Sequence, residues 1–327
     1  MSNHAAVKSA RHGTKWRGLA VLPLINSKTL KQLAHQVQLF NHRMFMPQGA
    51  IPDRFSSHWR MVNHVLLFWA GYALLVGVEA SGALTGMLPQ YWQQILFPSQ
   101  LMVFGLLTSL GALALTNQFV RWERISLADV GAALRRHSLF KFMCGFLIGL
   151  ILVAMNFTII YAINGARWAW APAATFPGVM MVLFGFVAGS CGEELGFRGY
   201  PLRRLELIYG LWVAQAIVAV AFIFYHVALG WPWASAILGT GAGSLLFGMA
   251  TVASRGLAVP IGLHAAWNFG DWMMGGKGSA GLWQPVTNHN HSSFLVGEIS
   301  LLAVTGLGIL GFSRWHRRNL RRTVPSA

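Results

Sequence analysis

Polar and apolar positions in this chain fall into long blocks and not into the short periods of a soluble fold. Eight apolar stretches of roughly 20 residues stand out, near 63–84, 101–120, 140–163, 174–196, 211–229, 233–254, 256–274 and 294–313. A helix rising about 1.5 Å per residue needs about 20 apolar residues to cross a ~30 Å hydrocarbon core. The pattern predicts an all-α polytopic membrane protein with eight transmembrane helices. Two further segments read as lying on the membrane. Leu30, Leu33, Val37, Phe40 and Met44 recur at helical spacing beside Lys28, Lys31 and Arg43, as in an interfacial amphipathic helix; a disordered basic tail is the alternative. Between the second and third stretches, Ser126 is placed to cap a short helix carrying Leu127, Val130 and Leu134 and ending in Arg135 and Arg136.

Composition agrees with this pattern. The 327 residues are 55% hydrophobic and 10% charged, against about 25% charged in a soluble domain. The only cysteines, Cys144 and Cys191, sit inside apolar stretches, so no disulfide framework is expected. No secretory signal is visible in the first sixty residues. No repeat or linker divides the chain. It reads as a basic N-terminal region over 1–60, one membrane domain over 61–313 and a basic tail over 314–327. The small residues Gly239 and Gly243, and Gly306, Gly308 and Gly311, are expected at helix contacts.

Charge then sets an expected orientation. The net charge of +16 would suggest nucleic acid in a soluble protein. Here no nucleic-acid partner is expected, and anionic lipid of the bilayer is the better one. Counting Lys141 with the loop it adjoins, 23 of the 25 Lys and Arg fall in alternate inter-helix segments and 2 in the others. By the positive-inside rule both termini are cytoplasmic, in an integral membrane protein placed by expectation in a bacterial cell membrane.

Against that apolar background a few polar residues need a reason, since a central charge costs roughly 2.5–3.5 kcal/mol on insertion scales. In the fourth stretch, CGEELGFRGY carries Glu193, Glu194 and Arg198. Adjacent helical residues diverge by about 100°, so the two glutamates have different surroundings. Glu194 and Arg198, at i and i+4, are spaced to pair. Glu193 has no local partner, and Gly189, Gly192 and Gly196 leave room around it. The fifth stretch adds His226, and the seventh adds His264 and Asn268 on one helical face. Each alone reads equally well as interhelical glue. Together they offer a base, a second titrating group and two donors, which is what peptide hydrolysis requires.

These motifs, Glu193-Glu194-x-x-x-Arg198, Phe222-x-x-x-His226 and His264-x-x-x-Asn268, in this order on successive apolar segments, resemble the CPBP intramembrane proteases, which include the type II CAAX prenyl endopeptidases and Abi-like proteins. The resemblance covers about 174–275. It implies an eight-helix fold around a conical cavity open toward the cytosol, and an intramembrane endopeptidase acting on a membrane protein or lipidated peptide. It also implies that Glu193 and His226 activate water, that His264 and Asn268 stabilise the oxyanion, and that Glu194 and Arg198 support them.

Other readings stay open at this stage. Glu193, His226 and His264 could form a three-ligand catalytic zinc site, though no HExxH-type signature is present. A proton-coupled transporter would use the same buried charges. A non-catalytic scaffold would bind a partner helix. Among the remaining membrane charges Asp271 is the best candidate for the cavity. Structural bonding or snorkelling is the expectation for His64, Glu79 and Glu298, and no role is assigned to His289 and His291. Depth poses one difficulty. Helices running over 174–196 and from 211 would put Glu193 and His226 on opposite sides of the bilayer. Their meeting requires the fifth helix to begin near Val213 or later, with YPLRRLELIYG partly interfacial.

Overall fold

The computed structural model describes residues 54–80, 90–171, 175–277, 281–286 and 291–323. The expected amphipathic N-terminal segment lies outside them, as does His289; the side chains of Glu79 and His291 are likewise not described. The described chain is a bundle of helices: α1 Arg54–Ala80, α2 Gln90–Trp122, α3 Ser138–Asn164, α4 Phe176–Glu194, α5 Tyr200–Tyr209, α6 Leu211–Ala228, α7 Gly241–Ser254, α8 Ala258–Met273 and α9 His291–Thr323. A π-helical turn, Leu195–Gly199, joins α4 to α5, and a second, Ala236–Thr240, leads into α7. A two-stranded antiparallel ribbon, β1 Trp168–Trp170 and β2 Trp283–Pro285, pairs Trp168 with Pro285 and Trp170 with Trp283.

Seven of these segments are long and apolar enough to cross a membrane. The seventh expected stretch, 256–274, folds as the 16-residue α8, whose Val259, Leu263, Ala265 and Ala266 are buried within the bundle. Many large apolar side chains, among them Leu74, Leu110, Ile151, Phe184, Val220 and Leu307, point outward and are exposed. A water-soluble domain would bury these residues; the hydrocarbon core takes them here. The protein is an all-α polytopic membrane protein. Both cysteines are free.

The sequence places the ends of these helices. Thr175 caps α4, accepting from the Gly178 amide at 3.3 Å, with Pro177 in the first turn. Gly165, at φ 60°, ends α3 in the left-handed conformation that a residue without Cβ adopts most easily. The expected short helix after Ser126 does not form. Ser126 donates through its amide and hydroxyl to Asp129, at 2.8 and 2.7 Å, and the chain turns there and at Gly131. An aspartate within reach of the serine offers a closed turn in place of a first helical turn.

The depth difficulty is resolved differently from the expectation. α6 begins at Leu211, not later, because Gly210 at φ 77° turns the chain there. The fourth stretch does not stop at 196. It continues through the π turn and α5 to Tyr209, burying Tyr200, Pro201, Leu202 and Leu205. Glu193 therefore stands 17 residues from Gly210 and His226 stands 16, about 26 and 24 Å at 1.5 Å per residue. They reach the same level.

Close packing uses glycines other than those expected. A Cβ on Gly145 of α3 would lie 2.1 Å from the Val259 carbonyl oxygen, and one on Gly262 of α8 would lie 2.1 Å from that of Phe142. The two backbones touch through these positions. Of the predicted set, Gly308 is tight against Leu246, whereas Gly306 and Gly311 have open space, and Gly239 and Gly243 line a cavity. Where helices draw in, Glu123 ties three of them: it accepts from Tyr200 Oη at 2.5 Å, from His64 Nδ1 at 2.8 Å and from Arg204.

Because backbone atoms cannot move aside as a side chain does, Gly145→Ala or Gly262→Ala is expected to cost at least ~2 kcal/mol, seen as a lowered thermal midpoint in detergent. Gly306→Ala in the same assay should leave the midpoint unchanged within error.

Candidate active site

Three helices carry the site, and local geometry decides what each side chain faces. On α4, Glu193 and Glu194 diverge as adjacent helical residues must. Glu194 is fully buried against Arg198, whose Nη1 lies 3.2 Å from Glu194 Oε1. The pair spans the π-helical turn Leu195–Gly199; such widened turns recur at functional sites. The Arg198 guanidinium also stacks over Phe222, 4.2 Å from its ring centre, with Phe247 and Phe197 at 5.5 and 5.8 Å. Aromatic faces thus share in stabilising a cation with no exposure to solvent.

Glu193 turns the other way, toward a cavity of about 500 Å³. Its side chain keeps 20% exposure, and its Oε2 has no hydrogen-bond partner among the described residues. His226, His264 and Asn268 line the same cavity. The three elements thus converge as the sequence predicts for the four catalytic candidates. Glu194 and Arg198 pack behind the wall. Of the three glycines expected to leave room for Glu193, only Gly189 borders the cavity and has open space. Gly192 packs on Thr108 and Ser109, and Gly196 on the Tyr72 ring.

Hydrogen bonds fix the roles of the two imidazoles. His226 Nδ1 lies 2.9 Å from the Phe222 carbonyl oxygen. A carbonyl only accepts, so Nδ1 carries the proton and Nε2 of neutral His226 is left as an acceptor. His264 Nδ1 lies 3.0 Å from Glu194 Oε1 and donates to it. This leaves His264 Nε2 directed toward Glu193, 3.7 Å from its Oε2, an ion-pair distance beyond hydrogen-bond length. His264 stacks on Phe247 with ring centres 4.3 Å apart. His264 is therefore held between the two glutamates, and Arg198, Glu194 and His264 form one chain of contacts.

Some residues escaped sequence reasoning. Ser190, one turn before Glu193, lines the cavity with a buried hydroxyl that has no partner among the described residues. Trp231 packs edge-on against His226 at 5.3 Å. Phe247 had no polar signal to mark it. Phe222 was visible as the first position of its motif, but its service to both Arg198 and His226 was not. Asp271 does line the cavity and pairs with Lys277 at 3.6 Å. Glu298, expected to snorkel or to make a structural bond, lines the cavity too, because α9 presents that face inward. His64 bonds Glu123, as a structural residue.

The zinc alternative finds no grouped donor set: among the described residues no three His, Cys, Asp or Glu side chains are gathered closely enough to hold a metal ion.

Removing one member of a buried ion pair leaves the other charge stranded. Arg198→Ala is expected to destabilise the protein by about 3–5 kcal/mol, the range for such losses, measured as a large drop in thermal midpoint in detergent micelles.

Comparison with curated proteins gives no match to the chain. Residues 174–270, which span α4 to α8 and carry all three motifs, match the family described as type II CAAX prenyl endopeptidase Rce1-like. Over those 97 residues the chain is similar to the CPBP/CAAX proteases, and the match supports an intramembrane endopeptidase of the CAAX type in general.

Proposed function

We propose that this protein is a metal-independent intramembrane endopeptidase in which Glu193 and His226 together activate a water molecule. The observation that carries the reading is the pair of free acceptors on one cavity wall: Glu193 Oε2, unpaired among the described residues, and His226 Nε2, left proton-free by the Phe222 bond. A water molecule has two protons to donate. With one directed to Glu193 and the other to His226 Nε2, its lone pair is free to attack a peptide carbonyl carbon.

Chemically the step is balanced within the chain. Glu193 accepts the proton as the water oxygen bonds to carbon, and negative charge moves to the former carbonyl oxygen. His264 Nε2–H and the Asn268 amide donate to that oxyanion. With Nδ1–H held by Glu194 at 3.0 Å, donation from Nε2 as well requires both ring nitrogens of His264 to carry a proton. As the tetrahedral intermediate collapses, the proton on Glu193 passes to the leaving nitrogen and the C–N bond breaks. A carboxyl and an amine result. Apolar walls from Phe157, Ile160, Phe186, Leu246 and Leu301 suit a substrate drawn from the membrane, either a membrane protein or a lipidated peptide.

Cleavage of candidate peptides in liposomes tests this. Glu193→Gln and His226→Ala are each expected to lower kcat by about 10²–10⁴-fold, the range for a general base. Asn268→Ala should lose about 10²–10³-fold, as for one oxyanion donor. Chelator should leave wild-type activity intact. Activity unchanged in the Glu193 and His226 variants points instead to a transporter or scaffold, and chelator-sensitive activity restored by zinc returns the metal reading.

Glu194→Gln keeps an acceptor for His264 Nδ1–H but removes the negative charge beside it. Its expected signature is kcat reduced by on the order of 10²-fold with KM little changed, in protein that still melts cooperatively.

A further inference from the structure

The bundle has two chemically different ends. At one, α2 closes on Glu123 with Arg204, Lys141 Nζ donates to the Ser254 carbonyl at 2.9 Å, and Arg203 Nη2 donates to that of Thr251 at 3.4 Å. Asn319 of α9 reaches the Ala253 carbonyl at 3.2 Å, and the Leu257 amide bonds Gly131 at 3.1 Å. These bonds gather the loops after α2, α5 and α7, and the C-terminal part of α9, at a single basic face. At the other end sit the β1–β2 ribbon and the chain after α8. Trp168 Nε1 donates to the Met274 carbonyl at 3.1 Å, and the Val286 amide to that of Arg167 at 2.8 Å. Arg167 and Lys277 are the cations there.

The cavity leads from the catalytic groups to the second end. Its outer lining is Trp231, Ser235, Asp271, Gly276, Lys277 and Glu298, and Lys277 lies over the Trp231 ring at 5.0 Å. No lining residue comes from the loops of the basic face, 123–137, 199–210 or 254–257, nor from α9 beyond Thr305. Below the site the floor is closed by Arg198, Glu194, Tyr200 and Leu202, all fully buried. A cavity open toward the cytosol and two cytoplasmic termini cannot both hold for this arrangement. Counted by sequence segment and with the buried Arg198 set aside, 22 of the 25 Lys and Arg fall in the segments that alternate with those of Arg167 and Lys277, and the positive-inside rule decides between them.

We infer that the cavity mouth faces the extracytoplasmic side, and that the substrate is a peptide segment presented from there: a translocated chain, or the outer part of a membrane-spanning helix. This rests on the proposed hydrolytic reading for the word substrate. The orientation itself does not. A peptide entering past Asp271, Lys277 and Glu298 meets the Glu193–His226 pair from outside, and a lipid-modified C-terminus in the cytosol has no route to it through the closed floor.

Orientation is read by cysteine labelling in the full chain with Cys144 and Cys191 replaced by serine. Lys277→Cys and Val286→Cys mark the mouth end; Arg136→Cys and Leu134→Cys mark the basic face. In intact bacterial cells a membrane-impermeant maleimide is expected to label the first two at least tenfold more than the last two, with all four labelled after permeabilisation. The reverse pattern, or equal labelling of both sets in intact cells, overturns the inference. Two mouth positions guard against one variant misfolding. A hydrophobic fluorogenic decapeptide should then be cut by right-side-out vesicles and spared by sealed inverted ones; cutting by inverted vesicles alone overturns the substrate class. Labelling requires no catalysis, so an inactive Glu193 variant leaves the orientation result standing, and a failed orientation leaves the hydrolytic reading intact.

Discussion

A fully buried ion pair inside a membrane bundle is the constraint from which the rest follows. Glu194 and Arg198 have no exposure, and neither would be stable alone in that surrounding. Their mutual contact at 3.2 Å is only part of the compensation. Phe222, Phe197 and Phe247 present ring faces to the guanidinium, and His264 gives a hydrogen bond to the carboxylate. Each of those partners comes from a different helix or turn. Satisfying one pair of charges therefore fixes the relative placement of α4, α6, α7 and α8.

That placement doubles as active-site construction. The bond that helps satisfy Glu194 also fixes which nitrogen of His264 faces the cavity. The ring that covers Arg198 belongs to Phe222, whose carbonyl holds the His226 tautomer one helical turn later. Support and reactivity share the same atoms, in the manner of outer partners that orient ligands and bases elsewhere. The glycine contacts between α3 and α8 serve the same end, since they let α8 approach closely enough for His264 to reach two carboxylates on α4.

Much of this was legible along the chain. Hydropathy gave the all-α membrane class and the approximate spans, because hydrocarbon leaves a backbone no partners but its own. The i, i+4 spacing gave the Glu194–Arg198 pair, and the scarcity of polar residues in apolar stretches picked out Glu193, His226, His264 and Asn268. What failed did so for identifiable reasons. The helix carrying Glu193 was ended too early, because Arg203, Arg204 and Glu206 look like loop chemistry, although α5 buries one face and leaves those charges on the other. Glu298 was not placed in the cavity because hydropathy does not say which face of α9 turns inward. Of the α9 glycines expected at contacts only Gly308 is tightly packed, while those that touch backbone, Gly145 and Gly262, stood in plain apolar runs with nothing to mark them.

The sequence by itself determined the class of fold, the basic and non-basic sides of the chain, and the short list of side chains too costly to leave in lipid. These are properties of local composition and helical period, which need no partner to be read. Tertiary structure alone decided that His264 stands between both glutamates, that His226 and Glu193 lie at one level, and that the cavity leads away from the basic face. Those are relations between residues as much as 71 positions apart, such as Glu193 and His264. They are set by how helices tilt, turn and pack around buried charge, and such distances have no counterpart in the spacing of residues along a chain.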